Sequence, residues 1–149
     1  MAVVHKWYGE GVRGQWSSTA DRRVDWVVDT IQCTLHTATY SFDQDAHDFF
    51  NDATNEITGT GYTAGGVALS GKSLTYDTGT NEVRLDANDA AWTGATFTAR
   101  HATTWKNTAG ASSTDPLLTN VDFGADESVA SGNFSVQWAA DGLAKIVVS

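Results

Sequence analysis

The 149-residue sequence has one cysteine, one proline and one methionine, and it has no apolar run of the length that crosses a bilayer. A single cysteine, Cys33, excludes an internal disulfide and a cluster of thiolate metal ligands. We therefore expect a buried, inert thiol in a strand. The start of the chain lacks the charged, apolar and cleavable order of a signal peptide, and no membrane span is predicted. Folding in a cytoplasm is the expectation.

Charged residues are also scarce, at 18% of the chain, and acidic residues outnumber basic ones by 18 to nine. The net charge of −9 argues against binding nucleic acid, because a phosphate backbone requires a basic surface. Residues 1–23 nevertheless carry four basic and two acidic side chains. A basic N-terminal segment on an acidic body is suited to docking on an acidic neighbour, although a solvated tail has the same composition.

Motifs for metal binding or catalysis are missing. The histidines are scattered, without a pair at helical spacing. The acidic run 43–48 resembles the start of a calcium loop, but Asp48 stands where that loop needs glycine and Thr54 where it needs glutamate. No Gly-x-Ser-x-Gly elbow is present. We predict a protein that is not an enzyme and holds no metal and no cofactor.

Short alternating segments separated by polar turns dominate the rest of the chain. The predicted strands are residues 24–36, 67–76, 82–87, 95–106, 117–123, 133–138 and 143–148. Gly79 in the 77–81 turn is available for positive φ. A strict two-residue turn at 141–142 sets Trp138 opposite Lys145, so either that loop is longer or the last strand is covered on both sides. Asp45 is suited to cap a short helix.

These elements predict an all-β chain. We expect an antiparallel β-sandwich or jelly-roll-like barrel with one short helix near residues 45–55. The predicted division is an N-terminal extended arm, residues 1–23, and a β-sandwich domain, residues 24–149. The arm is either an extended strand on the edge of its own domain or a clasp over a neighbour.

Aromatic residues are more numerous than a small core requires, with six tryptophans. Four of them, Trp26, Trp92, Trp105 and Trp138, lie in or beside predicted strands and are expected in the core or on a sheet face. The two tryptophans of the arm, Trp7 and Trp16, are harder to bury, and exposed tryptophan is typical of interface anchors. The candidate partner-binding residues are therefore the aromatic and basic side chains of the arm: Trp7, Tyr8, Arg13, Trp16, Arg22 and Arg23.

Four stretches resemble a family of small phage virion proteins. They are TATYSFDQDAHDFFNDATNEITGTGYTAGGVAL (37–69), DANDAAWTGATFTARHATTW (86–105), DPLLTNVDFG (115–124) and SGNFSVQWAADGL (131–143). The resemblance covers roughly residues 30–146, in order, and excludes the arm. Such proteins are variously labelled capsid-decorating, tail or uncharacterised virion components. No catalytic or metal-binding residues come with them.

The resemblance implies a phage virion structural protein, made in the host cytoplasm. We expect a capsid decoration (cement) protein on the outside of the major capsid shell. A tail or tail-tip component is the alternative, and aromatic residues on a β-sandwich also suit a carbohydrate-binding adhesion module. The expected partners are the major capsid protein, further copies of the chain, or both, as a trimer at quasi-threefold axes.

Overall fold

A computed structural model describes residues 3–19 and 22–148. Its strands are β1 (Val4–Trp7), β2 (Ile31–His36), β3 (Val67–Ala68), β4 (Ser73–Asp77), β5 (Glu82–Asp86), β6 (Ala90–Lys106), β7 (Leu117–Val136) and β8 (Ala144–Val147). Within these ranges the α-helical structure is one short segment, α1 (Gly9–Gly14), and 3-10 turns lie at Phe50–Asp52 and Ser112–Thr114. The predicted all-β fold is confirmed.

The strands form two antiparallel sheets. The large sheet has the order β1-β7-β6-β2-β3, and the small sheet has the order β4-β5-β8. The apolar faces of the strands enclose one main core, which includes Ile31, Leu35, Trp92, Phe97 and Leu143. A second core cluster lies beside α1 and contains Tyr8, Tyr40, Trp105 and Leu117. Together the sheets give the two-layered body that the strand pattern predicts.

A long hairpin of β6 and β7 forms the centre of the large sheet. β7 joins two predicted strands, 117–123 and 133–138, into one strand of 20 residues. Its register against β6 shifts where Gly94 (φ 58°) and Gly124 (φ 82°) adopt left-handed conformations. Bulges of this kind bend a strand without ending it, so glycine-containing segments that lie outside the predicted strands remain inside the hairpin.

The strand predicted at residues 24–36 begins only at Ile31. The Asp25 carboxylate accepts hydrogen bonds from the backbone N–H groups of Val27 and Val28, at 3.2 and 3.1 Å. The Asp29 N–H donates to the Asp25 carbonyl at 2.8 Å. These local bonds close a turn and compete with strand pairing, which is why the apolar run 26–28 does not extend β2.

Residues 45–55 contain one 3-10 turn, Phe50–Asp52, instead of the predicted short α-helix. The Asp43 carboxylate accepts from the N–H groups of Asp45 and Ala46, and the Asp52 carboxylate accepts from that of Asp48, each at 3.0 Å. The prediction placed the capping carboxylate on Asp45. Side-chain turns at both ends leave no room for a continuous helix between them.

The hairpin predicted around residues 77–81 is present as β4 and β5, but its positive φ lies at Asn81 (55°) and not at Gly79. The Asp77 carboxylate instead accepts from the Gly79 N–H at 2.8 Å. The last strand pairs with β5 in the small sheet and not with residues 133–138. This explains the poor match of Trp138 with Lys145, since the two strands belong to different sheets.

Candidate functional site: a groove between the arm and the small sheet

An open apolar groove of about 600 Å³ separates the arm from the small sheet. Its floor is formed by Leu74, Val83, Leu85 and Ile146 of the small sheet. Trp7, Val12 and Trp16 of the arm form one wall, and Trp26 closes part of the far side. Clefts of this size with an apolar lining are the usual form of binding sites in proteins.

Strand alternation places the floor residues on one face. Leu74 is paired with Leu85 across β4 and β5, and Val83 is paired with Ile146 across β5 and β8. Side chains two residues apart on a strand point to the same face, so these four side chains share it. Leu74 keeps 52% of its surface exposed. The floor is therefore incompletely covered.

The opposite face of the small sheet is ionic. Arg84 binds Glu82 at 2.8 Å and Asp77 at 3.0 Å, and Lys145 binds Glu82 at 3.0 Å. Hydrogen bonding from Arg84, followed by that from Lys145, lowers the pKa of the Glu82 carboxyl. A sheet with one charged and one apolar face normally buries the apolar one. Here that face forms the floor of the groove.

The arm is held against its own domain through β1 and Tyr8. β1 pairs with β7, with Trp7 opposite Thr119 and Val4 opposite Asp122. The Tyr8 N–H donates to the Leu118 carbonyl at 2.9 Å. Trp7 donates its indole N–H to the carbonyl of Lys145 on β8 at 3.1 Å, which links the wall to the small sheet. Two interpretations of the arm were open, a strand on the edge of its own domain or a clasp over a neighbour. The structure has the first, since β1 is an edge strand of the large sheet.

Three of the six candidate residues, Trp7, Trp16 and Arg23, line the groove. Trp16 is 75% exposed and Arg23 is exposed. These three are the candidates that the fold brings together at a surface open to a partner.

The other three candidates have partners within the chain. Tyr8 is fully buried, so assigning it to a partner surface requires correction. Arg13 binds Glu10, and Arg22 binds both Glu10 and Asp48. The Arg22 guanidinium also lies 4.4 Å from the centre of the Phe49 ring. The Arg22 contacts attach α1 to the body, whereas the Arg13–Glu10 pair lies within α1 and leaves the Arg13 side chain 70% exposed.

The floor of the groove is not predictable from the sequence. Leu74, Val83, Leu85 and Ile146 read only as the apolar positions of ordinary strands. The sequence carried no signal for a small sheet, because the strands predicted there, 67–76, 82–87 and 143–148, are longer than the five, five and four residues of the structure. What covers the floor depends on where the arm lies, which the sequence does not specify.

A buried polar cluster contacts the arm through Tyr8. His36 lies opposite His101 in the β2–β6 register, and the Tyr40 ring lies 5.1 Å from the His36 ring. Tyr40 shares a 2.6 Å hydrogen bond with the Tyr8 hydroxyl. His36 donates from Nδ1 to the Thr54 carbonyl at 2.8 Å, which leaves Nε2 to accept from the Thr34 hydroxyl. Burial lowers the pKa of His36 to about 4, with a further lowering from His101.

Cys33 is fully buried in β2, as predicted, and burial raises the pKa of its thiol to about 12. Over residues 3–19 and 22–148, no three His, Cys, Asp or Glu side chains are grouped to hold a metal ion. In the same part of the chain, no helix has the length and apolarity to span a membrane. Comparisons of the chain with protein-family models, with curated proteins and with solved structures return no match.

Proposed function

We propose that this protein is a phage virion structural protein that decorates the outside of the major capsid shell, with the groove as its binding surface. The observation that carries the proposal is the groove itself, an apolar cleft with an exposed tryptophan at its mouth. The proposed place in a phage particle rests on a resemblance to phage virion proteins, which covers residues 37–69, 86–105, 115–124 and 131–143. No enzymatic step and no cofactor belong to this function.

The composition of the groove favours an apolar protein segment as its occupant. Trp16 and Leu74 are more than half exposed, yet they face a common cleft. Exposed apolar surface that is gathered in one cleft marks an interaction site more often than scattered apolar residues do. Tryptophan side chains of this kind are enriched among the residues that dominate binding energies.

Charge adds a preference for how the occupant is oriented. The lining residues contain two ionisable side chains, Arg23 and Asp25. The Asp25 carboxylate accepts backbone hydrogen bonds within its own turn, whereas the Arg23 side chain is on the exposed rim. A carboxylate on the capsid segment, placed beside the apolar anchor, is the complementary group for Arg23.

The same residues argue against catalysis in the groove. General acid–base chemistry requires a titratable group that faces the substrate. Asp25 is engaged in forming a turn, and an arginine remains protonated at any physiological pH. A surface that binds without reacting is the role that these side chains suit.

Binding to particles tests the proposal. Purified protein is mixed with particles of its phage that were assembled without it, and occupancy is measured by co-sedimentation. Trp16→Ala is expected to weaken binding by about 30-fold, the effect of losing about 2 kcal/mol at an interface hot spot. Val28→Ala is the matched control, since Val28 is 78% exposed but lies outside the groove. Equal affinities for the two variants would refute the role of the groove.

Copy number tests the position on the particle. Quantitative mass spectrometry of intact virions is expected to give hundreds of copies for a capsid surface. A handful of copies would assign the protein to the tail, and absence from virions would refute the proposal.

A carbohydrate-binding adhesion module is the second candidate, favoured by the exposed ring of Trp16 next to Gln15, Arg23 and Asp25. An indole face stacks on a sugar ring, and polar neighbours bind its hydroxyl groups. Host-wall glycans would then quench tryptophan fluorescence in the native chain and not in Trp16→Ala. An unchanged spectrum across a glycan panel would exclude this candidate.

A further inference from the structure

The outer edge of the small sheet is open at β4. β4 pairs with β5 on one side, and among residues 3–19 and 22–148 no strand pairs with its other side. The backbone N–H and C=O groups along such an edge form a template for another strand. What fits this edge is therefore an extended segment in the β conformation.

The side chains of β4 are also uncovered. All residues from Ser73 to Tyr76 are exposed, and both apolar ones, Leu74 and Tyr76, keep 52% and 53% of their surface accessible. They lie on the groove face of the sheet, across from Leu85 and Val83. An alternating strand with two exposed apolar residues on one face calls for a partner strand with the same alternation.

β4 carries none of the usual features that prevent edge pairing. It contains no proline and no lysine, and its one charged residue, Asp77, is bound to Arg84 at 3.0 Å. Natural edge strands normally carry an unpaired charge, a proline or a bulge at such positions.

We infer that two copies of this chain associate through β4, antiparallel about a two-fold axis at Thr75, to form a continuous six-stranded sheet. In this register Leu74 lies opposite Tyr76 of the second copy, and the reverse pair repeats the contact. Ser73 lies opposite Asp77 of the second copy, so no like charges meet. The strand is therefore complementary to itself, which a two-fold interface requires.

The pairing has a consequence for the grooves. The two-fold axis is perpendicular to the joined sheet, so the same face of both copies points in one direction. The two grooves then open on one side, where a surface with repeated binding sites can engage both at once. The inference concerns the purified chain and stands independently of which partner fills the groove. This interface builds a dimer and not the trimer that the resemblance implies.

Sedimentation equilibrium of the purified full-length chain tests the association. The native chain is expected to be a dimer, and Tyr76→Lys is expected to weaken it by at least about tenfold, because each altered contact occurs twice. Val147→Lys adds the same charge in place of another exposed apolar residue, on β8 at the opposite edge of the small sheet, and should leave the dimer unchanged. A monomer, a trimer, or a dimer that is equally stable in Tyr76→Lys would overturn the inference. Circular dichroism checks that both variants are folded.

Cross-linking tests the register without disturbing the apolar pair. Thr75→Cys places a thiol on the two-fold axis, and mild oxidation is expected to give a disulfide-linked dimer. The native Cys33 is fully buried and does not compete. Thr78→Cys is the control, since its thiol lies away from the axis and should cross-link much less. Equal cross-linking of the two variants would contradict the register.

Discussion

Acid is expected to destabilise the fold through His36. Its imidazole is fully buried, donates to the Thr54 carbonyl and lies opposite His101. The same site brings Tyr40 against both rings, and Asp122 and Arg100 act on His101 with opposite signs. Burial lowers the pKa of His36 from 6.5 to about 4.

Proton linkage gives the sign and the size of the change in the free energy of unfolding. As the pH falls below 6.5, the unfolded chain binds a proton at His36 before the folded chain does, so the free energy of unfolding decreases. The decrease from this group ends near pH 4, where the folded chain is also protonated. The gap between the two pKa values corresponds to about 3 kcal/mol.

Urea unfolding at pH 7, 6, 5 and 4, followed by tryptophan fluorescence, measures this loss. His36→Asn keeps an N–H that can donate to Thr54 but removes the titration. The variant should lose about 3 kcal/mol less than the native chain between pH 7 and pH 4. The part of the loss that is due to His101, whose pKa burial also lowers, should remain in the variant. An equal decrease in the free energy of unfolding between pH 7 and pH 4 in the two proteins would refute the role of His36.

Three further predictions concern the arm and the core. Gly11→Ala should cost about 2 kcal/mol or more in urea unfolding, because a methyl group there would collide with the Leu117 carbonyl; an unchanged midpoint would mean that α1 is not docked as described. Tyr8→Phe should cost about 1 kcal/mol in the same assay, since it removes the buried 2.6 Å bond to Tyr40, and a neutral effect would contradict that bond. Cys33 should react with a thiol reagent at pH 8 only after denaturant is added, because its thiol is buried with a pKa of about 12; rapid labelling of the native chain would contradict its position.

The class of fold could be predicted because strand alternation is a local signal. β5 lies within a predicted strand, and β6 contains the predicted 95–106 strand, extended to residues 90–106. The predicted 67–76 strand is divided, because residues 67–68 form β3 in the large sheet and residues 73–77 form β4 in the small sheet. Local signals also explain the errors. Asp25 and Asp43 form turns by accepting backbone hydrogen bonds, which delay the start of one predicted strand and replace a predicted helix.

The candidate site could be predicted only in part. Exposed tryptophan in the arm pointed to Trp7 and Trp16, and both line the groove. The residues opposite them come from strands about 60 and 130 residues later in the chain. Which sheet faces the arm is decided by the pairing of β1 with β7 and of β8 with β5, and this long-range choice leaves no local pattern.

We expect a partner chain to cover the groove in the assembled particle. Hydroxyl-radical footprinting with mass spectrometry reads the exposure of Trp16 directly, in the free protein and on intact virions. We predict strong oxidation of Trp16 in the free protein, as its 75% exposure requires, and protection on the particle, with Val28 oxidised equally in both. Equal oxidation of Trp16 in the two states would contradict the claim.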